Sequence, residues 1–301
     1  MKLTILLRGG INLEENIYDA AVVGCGPAGI SAAINLEIRN KSFVFIGGHE
    51  CSPKLSKAER IDNYPGFFNI NGKELKNKLL HHIEKMDIPI INKKVNNIYR
   101  RDDYYSLLVG QETYNVFSLI LAIGVSNENY LPGEEELVGR GVSYCATCDG
   151  PLYRNKKVAV IAGTHEAVEE AEFLSELAET VYFIPLSDIC DISGSNIEII
   201  EQKPEKIIGD SMVEKIVLEK DSIPVQGVFI IRKVTPPDKL LAGLEIEDGH
   251  INVNRSMETV LPGVYAAGDC TGTPYQIARA VGEGQTAALN LVSWLREKKK
   301  T

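Results

Sequence analysis

The 301-residue chain lacks the sequence features of membrane-spanning, secreted and nucleic-acid-binding proteins. No run of 18 apolar residues occurs, and the apolar segment 1–7 is too short for the core of a signal peptide. Basic side chains are outnumbered: 32 Lys and Arg face 41 Asp and Glu, and a net charge of −9 repels nucleic acid unless a basic patch is concentrated. We therefore expect a cytoplasmic protein that binds neither a membrane nor a nucleic acid.

Cysteine is scarce as well, and six residues in a chain of this length are too few for a disulfide scaffold. Only Cys145 and Cys148 form a close pair, whose C-x-x-C spacing allows a disulfide and lowers the pKa of one thiol. The other four are isolated in sequence and are interpreted as small buried apolar residues: Cys25, Cys51, Cys190 and Cys270. We expect no metal, because there is no second C-x-x-C and the five histidines lack ligand spacing.

A glycine-rich turn follows the first predicted strand, residues 18–23, and precedes a predicted helix at residues 30–39. Gly24 allows the tight turn, Gly26 lets the backbone approach a pyrophosphate, and Gly29 allows close packing of helix and strand. Glu50 stands about 20 residues further on, where a carboxylate reaches a ribose hydroxyl. The pattern predicts dinucleotide binding by the turn and Glu50, with a purely structural turn as the alternative. The turn residues assigned to this site are Gly24, Gly26, Pro27, Ala28 and Gly29.

A second strand, turn and helix occupy residues 158–174, but two of the three glycines are replaced there. In the order of the first turn, the corresponding residues are Ala162, Thr164 and Ala167. The β-branched side chain of Thr164 fills the space through which a pyrophosphate would approach. No arginine follows the next predicted strand, residues 181–184, to pair with a 2′-phosphate. This copy is therefore predicted not to bind a nicotinamide nucleotide, the alternative being loose binding of NADPH.

These repeated patterns predict the α/β class, with two Rossmann-like, three-layer dinucleotide-binding domains and the second inserted into the first. The apolar stretch 119–124 leads out of the first domain, and residues 232–238, with two prolines, lead back. The first domain is assigned residues 1–125 and 235–301, and it is completed by a helix at residues 277–297. Residues 126–234 form the inserted domain, which carries the C-x-x-C.

The segment 139–150, with the sequence GRGVSYCATCDG, resembles the active-site segment of low-molecular-weight thioredoxin reductases. The resemblance covers nearly the whole chain, including the first glycine turn, the segment 63–66 and a flavin signature at residues 263–269. It implies FAD as the cofactor, with Asn63 and the segment 145–149 near the isoalloxazine and Val95 near the adenine. The further cofactor residues that it implies are Ala122, Gly124, Gly268, Asp269, Gln276 and Ile277. Departures from the family pattern occur at residues 52–54, Lys233 and Tyr275.

The resemblance also implies catalytic roles: Cys148 faces the flavin, Cys145 attacks thioredoxin, and Asp149 exchanges protons, a turn-capping Asp149 being the alternative. We expect the inserted domain to rotate, because the same sulfurs must meet both the flavin and a protein disulfide. Without an NADPH fingerprint, the chain is most similar to the ferredoxin-dependent flavin thioredoxin reductases. That similarity implies reduced ferredoxin as the donor, thioredoxin as the acceptor and a homodimer.

Several alternatives stay open at this point. The chain is also compatible with an NAD(P)H-dependent thioredoxin reductase that has an atypical nucleotide site, or with a non-catalytic flavin-binding redox sensor. The acceptor could be a glutaredoxin-like protein. The candidate surface for an acidic ferredoxin is the basic tail formed by Arg296, Lys298, Lys299 and Lys300. The alternative is that this tail is only a solvated helix end.

Overall fold

The computed structural model describes residues 17–48, 51–125, 130–186, 189, 192–232, 236–298 and 300. Contacts divide the chain into two compact units, a first unit of residues 1–125 and 236–301 and an inserted unit of residues 126–235. The strands of the described residues are β1 Ala20–Val23, β2 Phe43–Gly47, β3 Ile91–Asn92, β4 Val95–Arg100, β5 Tyr105–Val109, β6 Glu112–Val116, β7 Leu119–Leu121, β8 Val142–Ser143, β9 Lys157–Ala162, β10 Thr180–Pro185, β11 Ile197–Ile199, β12 Pro204–Gly209, β13 Val213–Leu218, β14 Ser222–Pro224, β15 Gly227–Ile231, β16 Ile246–Glu247, β17 His250–Ile251 and β18 Val264–Ala266. The helices are α1 Pro27–Ile38, α2 Pro53–Ser56, α3 Gly72–Lys85, α4 Ala146–Asp149, α5 Glu166–Ser175, α6 Pro237–Leu240 and α7 Ile277–Lys298, with 3₁₀ turns at Gly150–Tyr153 and Asp269–Thr271.

The first unit is built on a parallel sheet with the strand order β18-β7-β1-β2-β3. The chain starts in the centre at β1, moves outward through β2 and β3, and then returns to the other side of β1 through β7 and β18. This reversal creates a topological switch point beside β1, and ligands of such sheets bind outside the carboxyl ends of the strands at that point. A ligand of this unit is therefore expected to bind at the loops that follow β1, β7 and β18.

Strand β1 is apolar throughout because both of its faces are covered. Ala20 and Val22 belong to an apolar cluster with residues of α1 and α7, whereas Ala21 and Val23 belong to a second cluster with residues of β4 and β5. Alternating side chains of a strand point to opposite faces, so each face requires its own apolar set. The parallel sheet, the helices on one face and the antiparallel sheet β4-β5-β6 on the other form three layers.

Helix α1 begins at Pro27, three residues before the predicted start. Proline is well suited to the first turn of a helix because its missing N–H would have no partner there, and Gly26 takes the extended conformation that precedes the helix. The C-terminal helix α7 spans Ile277–Lys298, against residues 277–297 in the prediction. No helix of the described residues is both long and apolar enough to cross a bilayer.

The inserted unit repeats the plan of the first, with a parallel sheet of order β11-β10-β9-β15-β8 and β9 near its centre. Helix α5 follows β9, as α1 follows β1, and the antiparallel sheet β12-β13-β14 packs as a further layer. The two parallel sheets with flanking layers confirm the predicted α/β class with Rossmann-like units.

Candidate active site

Cys145 and Cys148 are joined by a disulfide, with an S–S distance of 2.07 Å and Cα atoms 5.3 Å apart. Cys145 precedes helix α4, and its Sγ accepts a hydrogen bond from the Cys148 N–H at 3.0 Å. Cys145 is buried, whereas Cys148 is partly exposed within the chain. A backbone N–H aimed at a sulfur is the kind of donor that stabilises a thiolate, so the geometry is compatible with the predicted role of Cys145.

Ser143 connects the Asp149 carboxylate to this pair. Its hydroxyl donates to Asp149 Oδ2 at 2.6 Å, and its oxygen accepts the Cys145 N–H at 3.1 Å. The predictions from sequence overlooked Ser143, although it lies only two residues before Cys145. The serine is buried, so its hydroxyl holds one oxygen of the carboxylate in a fixed position beside the redox helix.

The charge of Asp149 acts on the phenol of Tyr153. Burial raises the pKa of its phenol, and the carboxylate of Asp149 raises it further. The phenol therefore stays protonated at neutral pH. Tyr153 also packs edge-on against Phe229, at 5.2 Å between ring centres.

The second glycine turn, at the amino end of α5, differs from the first turn in its side chains. The Thr164 hydroxyl oxygen is buried and has no hydrogen-bond partner among the described residues. The first turn of α5 carries the acidic side chains of Glu166 and Glu169, whose charge opposes an anion at this helix end. Glu170 accepts the Ala146 N–H at 2.8 Å, so α5 supports the redox helix α4.

The first glycine turn has the geometry that a dinucleotide requires. Gly24 has φ +107°, and a Cβ atom there would lie 2.2 Å from the Ala122 carbonyl oxygen. A Cβ at Gly29 would lie 1.8 Å from the Gly24 carbonyl oxygen, so both glycines are required by close packing. In contrast, a Cβ at Gly26 would meet only Ser52 Oγ at 3.9 Å, which leaves the backbone open to approach. Helix α1 has neither a side-chain cap nor an acidic residue in its first turn, and its free N–H groups fit a pyrophosphate.

Most of the other residues predicted to bind the cofactor surround this turn or lie at the amino end of α7. Gly268 follows β18 with φ +85°, and a Cβ there would lie 3.0 Å from Ala28 Cβ. The Asn63 side-chain amide donates to Gln276 Oε1 at 2.8 Å, directly before Ile277 begins α7. Gly124 follows β7 with φ +68° and open space at its Cβ position.

Two predicted cofactor residues differ from this group. Val95 is the first residue of β4, and its buried side chain belongs to the same apolar cluster as Val23 and Ile46. Only the backbone of Val95 is therefore available for a ligand. Glu50 lies outside the described residues.

Lys54 stands close to the predicted flavin residues and was not predicted to have a role. Its Nζ lies 2.8 Å from Asp269 Oδ2 and 4.4 Å from the centre of the Tyr275 ring. The Tyr275 hydroxyl in turn lies 2.6 Å from His250 Nε2. Lys54 and Tyr275, which both depart from the family pattern, are thus in contact. Because they are far apart in sequence, the sequence alone did not indicate this contact.

The interpretation of Cys25 and Cys51 as isolated apolar residues is wrong, because they form a disulfide with an S–S distance of 2.05 Å and Cα atoms 5.0 Å apart. The two residues follow the adjacent parallel strands β1 and β2, whose pairing brings the chain exits together. Cys270 is a free, buried thiol, as predicted, and Cys190 lies outside the described residues.

Part of the predicted basic tail is used in packing. Lys298 Nζ bonds the Asp103 carbonyl oxygen at 2.5 Å and lies 5.2 Å from the ring centres of both Phe117 and Trp294. Lys299 lies outside the described residues. Among the described residues there is no group of three or more His, Cys, Asp or Glu side chains arranged to hold a metal ion.

Comparisons with known proteins agree with these features. The family model described as pyridine nucleotide-disulphide oxidoreductase matches residues 18–284. The thioredoxin reductase of Bacillus subtilis is 31% identical over 309 residues, covering 96% of this chain and 98% of the relative. A crystal structure of a ferredoxin-flavin thioredoxin reductase from Clostridium acetobutylicum is 47% identical, covers 93% of this chain and 98% of its own, and has a TM-score of 0.90. A thioredoxin reductase structure from Gloeobacter violaceus is 29% identical with a TM-score of 0.76, covering 94% of this chain and 95% of that one.

Proposed function

The chain belongs to the pyridine nucleotide-disulphide oxidoreductase family as a flavoprotein oxidoreductase of the thioredoxin reductase type, and from this premise we propose that it reduces thioredoxin with electrons from reduced ferredoxin. FAD would supply the electrons, and the Cys145/Cys148 pair would pass them to thioredoxin. The observation that carries the proposal is the contrast between the glycine turns. The turn at Gly24 is open to a dinucleotide, whereas helix α5, which follows the turn at Thr164, carries Glu166 and Glu169 in its first turn, where their charge opposes a phosphate.

The residues of the first unit fit FAD. Gly24, Gly26 and Gly29 would hold the pyrophosphate at the amino end of α1, and Asp269 and Gln276 would contact the flavin end. FAD, when bound, takes electrons singly or in pairs, which allows two one-electron deliveries to reduce one disulfide. Asn63 would also bind the flavin. Its side-chain amide donates a hydrogen bond to Gln276, which keeps the Asn63 amide beside the proposed flavin site.

Two observations favour ferredoxin over a nicotinamide nucleotide as the donor. The chain shares 47% identity with the ferredoxin-flavin thioredoxin reductase, against 31% with the Bacillus thioredoxin reductase. The acidic first turn of α5, with Glu166 and Glu169, would repel the phosphates of NADPH, and no arginine follows β10 up to residue 188 to bind a 2′-phosphate. An NAD(P)H-dependent enzyme with an atypical site is the second candidate, since the description of the matching family model names a pyridine nucleotide.

The chemistry at the dithiol is thiol–disulfide exchange. The Cys145 thiolate attacks one sulfur of the thioredoxin disulfide and forms a mixed disulfide, releasing the other thioredoxin sulfur as a thiolate. The Cys148 thiolate then attacks Cys145, which restores the Cys145–Cys148 bond and releases the second thioredoxin thiolate. Asp149, held by Ser143, supplies and removes the protons that these sulfurs exchange. By the family resemblance, Cys148 would be the sulfur that faces a bound flavin and accepts its electrons.

Trapping of the mixed disulfide tests these roles. A reduced Cys148→Ser variant lacks the resolving thiol and should accumulate a disulfide between Cys145 and oxidised thioredoxin, identified by peptide mass spectrometry. The matched Cys145→Ser variant should accumulate much less. Trapping mainly through Cys148 would reverse the assignment. Failure of the wild-type protein to reduce any thioredoxin or glutaredoxin-like protein would favour a redox sensor.

The proposed assembly is a homodimer located in the cytoplasm, in line with the thioredoxin reductase resemblance. Light scattering of the FAD-loaded protein should give twice the chain mass of 33.1 kDa. A mass of one chain at micromolar concentration would contradict the dimer and leave the redox chemistry of the dithiol unaffected.

A further inference from the structure

The Cys25–Cys51 disulfide joins two loops that leave the centre of the parallel sheet on the ligand-binding side. Strands β1 and β2 pair in parallel with Val23 opposite Ile46, and each loop begins just beyond this pair. The bond closes a loop with a sequence separation of 26 residues. The cysteines are only 4% and 7% exposed, so both sulfurs are shielded from solvent.

The backbone around the bond is shaped to receive it. A Cβ at Gly47 would lie 2.2 Å from Cys25 Sγ, so only glycine at the end of β2 leaves room for the sulfur. Cys25 itself lies between Gly24, which makes the tight turn, and Gly26, whose backbone is open. The bond therefore fixes the residue at the centre of the phosphate-binding turn.

The segment that begins at Cys51 continues along the same site. Ser52 takes φ +55°, and its Oγ is the one atom close to the space in front of Gly26. Two residues later, Lys54 pairs with Asp269, one of the residues assigned to the cofactor. The Lys54 side chain is 58% exposed, and such a surface ion pair holds the segment weakly. The disulfide is thus the stronger attachment of segment 51–54 to the site.

Resting on the proposed function, we propose that the Cys25–Cys51 disulfide is a second redox site, a clasp that holds FAD when oxidised and weakens its binding when reduced. Reduction consumes two electrons and two protons. A thiolate of a protein dithiol, such as the reduced thioredoxin that the enzyme produces, attacks one sulfur of the clasp. The second thiol of that dithiol then resolves the mixed disulfide, leaving Cys25 and Cys51 as thiols and the reductant as a disulfide.

The clasp and the cofactor are coupled reciprocally. If oxidation tightens FAD binding by a given factor, FAD must stabilise the disulfide against reduction by the same factor. A tenfold ratio of FAD dissociation constants therefore corresponds to about 30 mV in the reduction potential of the clasp.

The test uses a full-length Cys145→Ser/Cys148→Ser protein, in which dithiothreitol can reduce the clasp without reducing the catalytic pair. The FAD dissociation constant is measured by flavin fluorescence before and after reduction, and alkylation with mass spectrometry reports the state of Cys25 and Cys51. Reduction is expected to raise the dissociation constant at least tenfold. The potential of the clasp, measured with and without FAD in glutathione or dithiothreitol buffers, should shift by the matching amount.

The control adds Cys25→Ser and Cys51→Ser to the same background, and it should bind FAD weakly whether or not dithiothreitol is present. Circular dichroism establishes that each variant is folded. If the control does not fold, the comparison of the oxidised and the reduced Cys145→Ser/Cys148→Ser protein is sufficient as the test. Equal FAD affinity in the oxidised and reduced protein, or free thiols at both positions in the protein as purified, overturns the clasp alone. Absence of FAD binding in both states overturns the proposed function as well.

Discussion

Replacing Arg232 with methionine should destabilise the inserted unit by about 3–5 kcal/mol, because it leaves the buried Glu134 carboxylate without its charged partner. The Arg232 guanidinium binds both carboxylate oxygens, at 2.6 and 2.7 Å. Glu134 is fully buried, at 0% exposure. Charge-assisted hydrogen bonds contribute about 1.5–3 kcal/mol each, so two of them account for a loss of this size.

The position of this pair makes the prediction specific. Leu131 N–H donates to Glu134 just after the unit begins, and Arg232 lies just before it ends. The Tyr144 hydroxyl donates to the same carboxylate at 2.9 Å, directly before Cys145. Burial, followed by the Glu134 charge, raises the pKa of the Tyr144 phenol, which therefore remains a donor. The pair thus connects the chain exits of the inserted unit to the redox segment.

The assay is urea unfolding followed by two signals. Far-ultraviolet circular dichroism reports both units, whereas fluorescence of the sole tryptophan, Trp294, reports helix α7 of the first unit. Arg232→Met should move the dichroism transition of the inserted unit to lower urea and leave the Trp294 transition in place. An equal shift of both transitions would contradict a local effect.

A double variant separates a lost charge partner from simple loss of packing. Glu134→Leu with Arg232→Met removes the carboxylate as well as the guanidinium, so no uncompensated charge remains buried. It should be more stable than Arg232→Met alone by at least about 1 kcal/mol, although more polar contacts are lost. A double variant as unstable as the sum of the two single variants would refute the reasoning.

Three further predictions concern the active site, the cofactor and the core. Asp149→Asn should lower thioredoxin turnover by about 10²–10⁴-fold without loss of FAD absorbance, and unchanged turnover would remove the proton-transfer role. Gly26→Val should abolish FAD binding in a folded protein, because a branched side chain closes the approach to the turn. The readout is the absorbance at 450 nm per chain, and the control is Gly282→Ala, a substitution in open space on α7. Burial raises the pKa of the Cys270 thiol to about 12 from an ordinary 9.0, so the stability that its protonated form supplies is present below pH 9 and is lost as pH rises. Wild type should therefore lose about 1 kcal/mol more than Cys270→Ala between pH 9 and 10, as urea unfolding at both pH values would show, and parallel losses would contradict this.

Local patterns made the first turn and the Cys145–Cys148 disulfide predictable from sequence. The apolar strand, the glycines at 24, 26 and 29 and the following helix are neighbours in sequence, and their spacing alone carries the geometry. Cys145 and Cys148 are three residues apart, so the same holds for their disulfide. The start of α1 was misplaced by three residues because Pro27 begins the helix rather than preceding it.

Contacts between distant segments escaped prediction. Cys25 and Cys51 meet only because β1 and β2 are adjacent in the sheet, which no spacing rule indicates. Lys54 and Asp269 are 215 residues apart, and their pairing depends on the order of the whole sheet. Even the short link from Ser143 to Asp149 depends on the turn of α4, which sets the direction of the carboxylate.

The most direct test of the account is an anaerobic titration of the purified yellow protein with NADPH, then NADH, then reduced ferredoxin, following the oxidised flavin band. Only reduced ferredoxin is expected to bleach the band promptly, and oxidised thioredoxin is then expected to restore it. Prompt bleaching by a nicotinamide nucleotide at modest concentration would contradict the inference from Thr164, Glu166 and Glu169 and would indicate a nucleotide-dependent thioredoxin reductase.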